Sequence, residues 1–397
     1  MADIANLLMI PGPTPLPDAV RAALAQPAIG HRSPDFKAVL QRVFPALQWA
    51  FQTQHPVLLY TASGTGAFEA ALMNTLNPGD KVLSLICGVF SERWADMAES
   101  LGYVAERLVV PPGQPNTVEA LQAALDADTQ KQIKAVTIIH SETSTGVLNP
   151  VKALVAAVKA HGALSIVDGV TSVTSTEFLF DDWGMDVAIS GSQKGFMVPP
   201  GLSFLALNER ALAAHQQCKH PGYYFNFKRY LKSQAEWTTP YTPNTNIIQG
   251  LDVAFEMMRT EGLPAILHRH HQLQAMVRAG VRAMGLSLLM EEDAYASRAV
   301  TAVWMPEDFS VSALRNTLRQ QFGITIADGQ KELKGKIFRI GHLGYVSERD
   351  VYTTLVGLEQ SLLQIGYPVK TPGAPIEAAR QVSAQFQRQP GEVVLHA

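Results

Sequence analysis

The 397-residue sequence predicts an α/β protein, with a mainly parallel central sheet covered on both faces by helices and a smaller α+β domain at its C-terminal end. Two patterns carry this expectation. Between residues 56 and 208, short continuously apolar runs alternate with segments of helical spacing, as strands buried on both faces of a parallel sheet require. After about Glu261 that alternation gives way to one long helical stretch, then to strand-like runs interleaved with helices. A hydrophobic content of 47% against 17% charged residues supplies apolar material for a sizeable core. The expected boundaries are residues 1–20 for an N-terminal arm, 21–261 for the large domain and 262–397 for the small one.

Each element follows from local chemistry. The first 35 residues are proline-rich and aperiodic. Pro11, Pro13, Pro15 and Pro17 fix φ and push their predecessors out of the helical region, so an extended arm lying over the rest is expected. VLLY (57–60) reads as a strand, ASGTG (62–66) as a turn and AFEAALMNTL (67–76) as a helix of good helix formers. KVLSLI (81–86) is a strand, SERWADMAESLG (91–102) a helix closed at Gly102, and YVAERLVV (103–110) a strand. TVEALQAALDAD (117–128) is a helix capped by Thr117, and AVTIIH (135–140) a strand before the loop SETSTG. VKALVAAVKAHG (151–162) is a helix ending at Gly162; ALSIVDG, VAISGS and LSFLALN are further strands. AILHRHHQLQAMVRAGVRAMG (265–285) is a long helix, RAVTAVWMP and KIFRIGHLG are strand-like, and QRQPGEVVLHA (387–397) is expected to be a loosely ordered tail.

Charge and cysteine content narrow the function classes. A net charge of −3 provides no field for sequence-independent nucleic-acid binding. Cys87 and Cys218 cannot form a disulfide framework or a four-ligand zinc site, and no metal site is expected. The N-terminal stretch lacks the basic flank and apolar length of a signal peptide, and no apolar run approaches the ~20 residues that span a bilayer, so a soluble cytoplasmic protein with no membrane partner is expected.

Three positions at strand ends could carry chemistry. TASGTGAFEA (61–70) is strand, small-residue turn, helix; free N–H groups at a helix start make an anion cradle, with Ser63 and Thr65 as added donors, or else the segment is a plain tight turn. It is neither a dinucleotide fingerprint, since Glu69 occupies the third glycine position, nor a P-loop, since no Gly-Lys-Ser/Thr follows. Asp168 ends an apolar strand, where open α/β sheets bind ligands, although an Asp there also caps helices. Lys194, in SGSQKGFMVPPG, is flanked by small residues that let a planar group approach; a solvated loop lysine is the plainer reading. Taken together, a phosphate cradle, a carboxylate and an amine at the ends of one sheet match the needs of pyridoxal phosphate: donors for the phosphate, a carboxylate for the ring nitrogen, an amine for the aldehyde. Phe90 could offer the ring an aromatic face.

The segments PGPTPLP, HRSPDF, ASGTGAFEA, SETSTG, VDGVTS, SGSQKGFMVPPG and FRIGHLG resemble those of class V aminotransferases, and most of all the alanine–glyoxylate and serine–glyoxylate group. The resemblance runs from about Leu8 to Leu362 and keeps motif order. It implies the fold of pyridoxal-phosphate transferases of the aspartate aminotransferase type (fold type I). It implies Lys194 as Schiff-base lysine and proton shuttle, Asp168 on the pyridinium nitrogen, Val170 below the ring and Phe90 stacked on it. Ser63, Gly64, Thr65 and Gln193 would bind the phosphate, and Thr143 would sit near the phenolic oxygen. Arg339 would clamp the substrate carboxylate while the backbone at Gly12 closes over it. It also implies a homodimer with shared sites, in which Thr242 reaches the partner's phosphate. The expected reaction moves an amino group from alanine or serine to glyoxylate or another small 2-oxo acid with ping-pong kinetics. A 2-aminoethylphosphonate-type aminotransferase, a cysteine desulfurase or lyase, and a non-catalytic subunit of a redox or regulatory complex are the alternatives. The triplet His268, His270 and His271 reads as a surface helix rather than a metal cluster, and KHPGYYFNFKRYLK (219–232) as a folded loop near a subunit interface rather than a nucleic-acid site.

Overall fold

A computed structural model describes residues 6–388. Its centre is a seven-stranded sheet built from β2 (Val57–Tyr60), β3 (Lys81–Ile86), β4 (Val104–Val109), β5 (Ile133–Ile139), β8 (Leu164–Asp168), β9 (Val187–Gly191) and β10 (Ser203–Leu207). The order across the sheet is β2-β10-β9-β8-β5-β3-β4. Between β5 and β8 a two-stranded hairpin, β6 (Ser141–Glu142) and β7 (Val147–Leu148), lifts the SETSTG segment above the sheet. A second, four-stranded sheet combines β1 (Leu7–Met9) with β11 (Val300–Trp304), β12 (Ile324–Asp328) and β13 (Ile337–Gly341), in the order β1-β12-β13-β11.

The large sheet is parallel except at β10, which runs antiparallel to both β9 and β2. The apolar run LSFLALN predicts a strand but not its direction. A parallel return needs a crossover of a dozen or more residues, usually helical, and the link from Ser192 to Leu202 is shorter and helix-free, so the chain turns back on itself. That tight return carries Gln193 and Lys194. Phe196 anchors it, fully buried with ring centroids 4.7 Å from Phe204 and 5.9 Å from Phe255; truncating such a phenylalanine costs about 3–5 kcal/mol.

Helix ends follow the chemistry read from the sequence in several places. The Thr117 hydroxyl accepts from Ala120 N at 3.2 Å, and Gly162 closes its helix at φ 100°. Two expectations are corrected. The arm is not extended throughout the first 35 residues: Asp18–Leu24 is helical, because the prolines stop at Pro17, which caps the helix with φ −58° and ψ 148°, and Ala-rich helix formers follow. The helix after β2 starts at Gly64 rather than Ala67, so the small residues read as a turn form the helix's first turn. Ser63 holds the extended N-cap conformation, with φ −75° and ψ 167°. Gly66 is required there, since a Cβ would lie 2.8 Å from Ala62 Cβ and 3.1 Å from Phe225 Cζ.

The expected tail falls outside the described residues from Gln389 onward; Gln387 and Arg388 end the helix Ala374–Arg388. Among the described residues no helix is long and apolar enough to cross a membrane.

Candidate active site

The carboxyl ends of β8 and β9, the hairpin β6–β7 and two helix starts converge on a cavity of about 240 Å³. It brings together nine residues singled out in the sequence: Ser63, Gly64, Thr65, Phe90, Thr143, Asp168, Val170, Gln193 and Lys194. Gly12 and Arg339 border it through contacts described below. Thr242 lies outside its own chain's cavity, exposed on the loop before the helix Thr245–Glu261, where Asn244 N donates to Thr61 Oγ1 at 3.3 Å.

One end of the cavity suits an anion. Gly66 N donates to the Ser63 carbonyl at 2.9 Å, which leaves the N–H groups of Gly64 and Thr65 at the helix start without intrahelical acceptors, and the helix dipole places partial positive charge there. The Ser63 hydroxyl makes no capping bond. Gln193 Oε1 is buried without a partner among the described residues. Gly64 lets this end approach Val170, whose Cγ2 would lie 3.2 Å from an added Cβ.

The other polar groups are Asp168 and Lys194. The Asp168 carboxyl, 5% exposed, accepts from Val170 N at 2.8 Å. Burial pushes its pKa up to about 7, with Glu142 adding to the shift and Lys194 opposing it. Burial lowers the Lys194 ammonium from the usual 10.5 to about 8; Asp168 holds it up and Arg339 pushes it further down. A lysine with a depressed pKa binds fewer protons folded than unfolded, so it contributes rising stability with pH between about 8 and 10.5. In cofactor-free protein, Lys194→Met is expected to flatten that rise in denaturant titrations across the window. An identical slope in wild type and variant would show that the amine is solvated.

The N-terminal arm closes the site from above. After β1 pairs in parallel with β12, the chain passes over Lys194: Lys194 Nζ donates to the Pro11 carbonyl at 2.6 Å, Thr14 N donates to the Gln193 carbonyl at 3.2 Å, and Thr14 Oγ1 donates to the Lys194 carbonyl at 3.1 Å. Gly12 is the one residue type that fits, because an added Cβ would lie 2.7 Å from Lys194 Cδ and 2.8 Å from Nζ, at φ +134°. Gly12→Ala should therefore displace the amine or the arm. Since a shift of about 1 Å near reacting groups costs on the order of 10²-fold, kcat/KM is expected to fall by at least about tenfold. Wild-type steady-state kinetics from this variant would detach the arm from the site.

Arg339, on β13 of the small sheet, borders the cavity through its contact with Thr143. It is 6% exposed; Nε donates to the Asp328 carbonyl at 2.8 Å and Nη1 to the Thr143 carbonyl at 2.9 Å. Both partners are neutral, and no carboxylate pairs with it among the described residues. Burial lowers its pKa to about 10, which leaves it charged near neutral pH. It is thus an oriented, buried cation with capacity for an incoming carboxylate.

The cavity also contains groups the sequence alone does not single out: Phe68, Arg93, Ser141 and Thr171. Arg93 carries a detectable signal, because it lies three residues after Phe90 and shares its helix face. Glu142, fully buried, organises the rim: it accepts from Ser91 N at 2.9 Å and Ser144 N at 3.0 Å, tying the hairpin to the start of the helix bearing Phe90. The histidine triplet is not all on the surface. His270 is buried, with Nδ1 2.8 Å from the Ile266 carbonyl and Nε2 accepting from Gly344 N, while His268 and His271 pack edge-on against Phe386. The aromatic and basic stretch is in part helix, Phe227–Ala235, formed where KRYLKSQA regains helical spacing.

Neither thiol meets the cavity. Burial pushes Cys87 up to about 12, with Asn149 Nδ2 3.2 Å from its sulfur, and Cys218 Sγ donates to the Met73 and Leu76 carbonyls. A desulfurase nucleophile needs a thiolate at the substrate, and none is placed there.

The residues present fit pyridoxal phosphate: a helix start with the uncapped Ser63 hydroxyl for the phosphate, a buried carboxyl for a ring nitrogen, and an amine of lowered pKa in the same cavity. Comparison with known proteins points the same way. Residues 23–346 match the model of the family Aminotransferase class-V. A serine–glyoxylate aminotransferase of Hyphomicrobium methylovorum is 38% identical, with 91% of each chain covered. The crystal structure of a ureidoglycine–glyoxylate aminotransferase from Bacillus subtilis superposes with a TM-score of 0.90 at 30% identity, over 97% of this chain and 99% of that one. A Synechococcus sp. protein named as the small subunit of a soluble hydrogenase is 44% identical over 95% of this chain and 98% of its own. Two cysteines, both hydrogen-bonded within the fold, are too few to hold a four-cysteine iron–sulfur cluster here. With family match, fold and donor set in agreement, the chain belongs to the class-V aminotransferases, enzymes that use pyridoxal phosphate.

Proposed function

We propose that this enzyme transfers the amino group of a small amino acid, alanine or serine, to glyoxylate. The observation that carries the reading is Arg339: a single buried guanidinium, held by two carbonyls and paired with no carboxylate among the described residues, beside a cavity of about 240 Å³. One such clamp suits one α-carboxylate, and the small space favours a short side chain. Glyoxylate is named as acceptor in both glyoxylate-aminotransferase relatives, while their donors differ, which supports the acceptor more than the donor.

Bound pyridoxal phosphate supplies the electron sink for the pair left behind when the substrate's Cα proton departs, and stores the amino group between half-reactions. The chain's residues do the rest. Lys194, with its pKa lowered to about 8, takes the Cα proton and returns one. Asp168, buried from water, would hold the proton at the ring nitrogen. Ser63, Gly64, Thr65 and Gln193 would hold the phosphate, Phe90 and Val170 would flank the ring, and Thr143 would face its phenolic oxygen. Arg339 orients the substrate carboxylate, and the Pro11–Gly12 backbone excludes water above Lys194.

We further assign a homodimer, supported by the exposed Thr242 beside the exposed aromatic pair Tyr223 and Tyr224, with Tyr224 stacked on Tyr241 at 5.0 Å. Light scattering that returns a monomer mass would overturn it. The function itself is tested by a panel of amino donors against glyoxylate, pyruvate and 2-oxoglutarate. Glyoxylate is expected to give the highest kcat/KM with alanine or serine. Cofactor-loaded protein that fails with glyoxylate for every donor would overturn the reading.

A further inference from the structure

One charged group lining the cavity has no part in the mechanism above. Arg93 projects from the same face of the helix Val89–Ser100 as Phe90, with its guanidinium carbon 4.8 Å from the centroid of that ring. Its Nη1 donates to Thr65 Oγ1 at 3.3 Å. Both neighbours line the cavity with it. The carboxylates of that helix are committed elsewhere: Glu92 pairs with Lys331, and Asp96 and Glu99 pair with Arg107. Arg93 itself makes no ion pair among the described residues, so its charge faces the cavity uncompensated.

The charge balance of the site needs such a group. A phosphate monoester carries nearly two negative charges at neutral pH. The helix start offers about half a positive charge, and the Ser63, Thr65 and Gln193 side chains are neutral. The cavity is lined by two cationic side chains, Lys194 and Arg93, and the amine of Lys194 is reserved for the aldehyde. We propose that Arg93 is the counter-cation of the cofactor phosphate, acting from the Thr65 side of the cradle and bracing the Phe90 ring it touches. This assignment rests on the pyridoxal phosphate reading of the site.

The test separates the phosphate from the ring. Full-length protein is freed of cofactor with hydroxylamine, then titrated by absorbance with pyridoxal phosphate and with pyridoxal, which keeps the aldehyde and ring but lacks the phosphate. Arg93→Met is expected to weaken pyridoxal phosphate binding about 10- to 100-fold, the range of a lost charge-assisted hydrogen bond, while pyridoxal affinity changes by less than about threefold. Arg93→Lys should recover part of the loss, since it keeps the charge without the fork. A methionine variant that binds pyridoxal phosphate like wild type, or that loses both ligands equally, overturns the assignment; the second result would make Arg93 a support for Phe90 alone. Wild-type protein that binds neither ligand would instead overturn the cofactor reading, and the role of Arg93 with it.

Discussion

Replacing Lys194 by alanine is expected to lower kcat for amino transfer by on the order of 10³-fold or more, between every donor and acceptor pair. The residue is asked to do two jobs that no neighbour can take over. It must hold the cofactor aldehyde covalently, and it must move a proton at the substrate Cα, a general acid–base contribution of about 10²–10⁴-fold by itself. Its surroundings prepare it for both. Burial lowers its pKa to about 8, so a useful fraction is neutral near physiological pH, and its Nζ lies 2.6 Å from the Pro11 carbonyl, which aims the amine. Asp168 and Arg339 are the charges that act on it, and both would be committed elsewhere, Asp168 to the ring nitrogen and Arg339 to the substrate carboxylate. Borohydride reduction of wild-type holoenzyme followed by peptide mapping should place the label on residue 194. The alanine variant should still bind the cofactor through the helix start at Gly64, but release it on gel filtration after reduction. Turnover at wild-type rate in the variant, or a label on another lysine, would remove Lys194 from the reaction.

Much of this site is legible in the amino-acid sequence because parallel sheets place function where apolar runs stop. The apolar runs Ile166–Val167 and Val187–Ile189 stop at polar residues, Asp168 as the last residue of β8 and Ser190 before the SQK segment that follows β9, and these must lie at the strand ends. What resists reading has physical causes. The run Gly64-Thr65-Gly66 has the composition of a helix breaker, yet at a helix start the N–H groups have no acceptors to lose, and close packing against Ala62, Phe225 and Val170 demands small residues. The direction of β10 depends on the length of its connection, which no hydrophobic pattern encodes. The groups that hold the key side chains in place are backbone atoms. The Pro11 carbonyl on Lys194, and the Asp328 and Thr143 carbonyls on Arg339, come from segments remote in sequence and carry no side-chain signature. Glu142 escapes notice because a glutamate in a polar loop reads as solvated, whereas its oxygens satisfy N–H groups of both the hairpin and the Phe90 helix.

Arg339→Lys is the second large effect. Two of the three guanidinium nitrogens are spent on carbonyls 2.8 and 2.9 Å away, which fixes the plane of the group and leaves its remaining N–H donors in a set direction. A planar fork held this way can meet a carboxylate with little further ordering; an ammonium on a flexible stem cannot both satisfy those carbonyls and reach the substrate. For a desolvated charge pair, the loss of transition-state stabilisation should be on the order of 2–5 kcal/mol in kcat/KM for every α-carboxylate substrate. Part of any decline could come from the Asp328 and Thr143 carbonyls losing their donor, because the Thr143 carbonyl belongs to a residue that itself lines the cavity. A comparison of substrates separates the two causes. Wild type should favour alanine strongly over an amine of similar size without a carboxylate, and Arg339→Lys should shrink that preference while leaving the amine's own slow rate nearly unchanged. Equal losses for both substrates would make Arg339 a structural tie between the small sheet and the hairpin, and the carboxylate clamp would have to be sought elsewhere on the cavity wall.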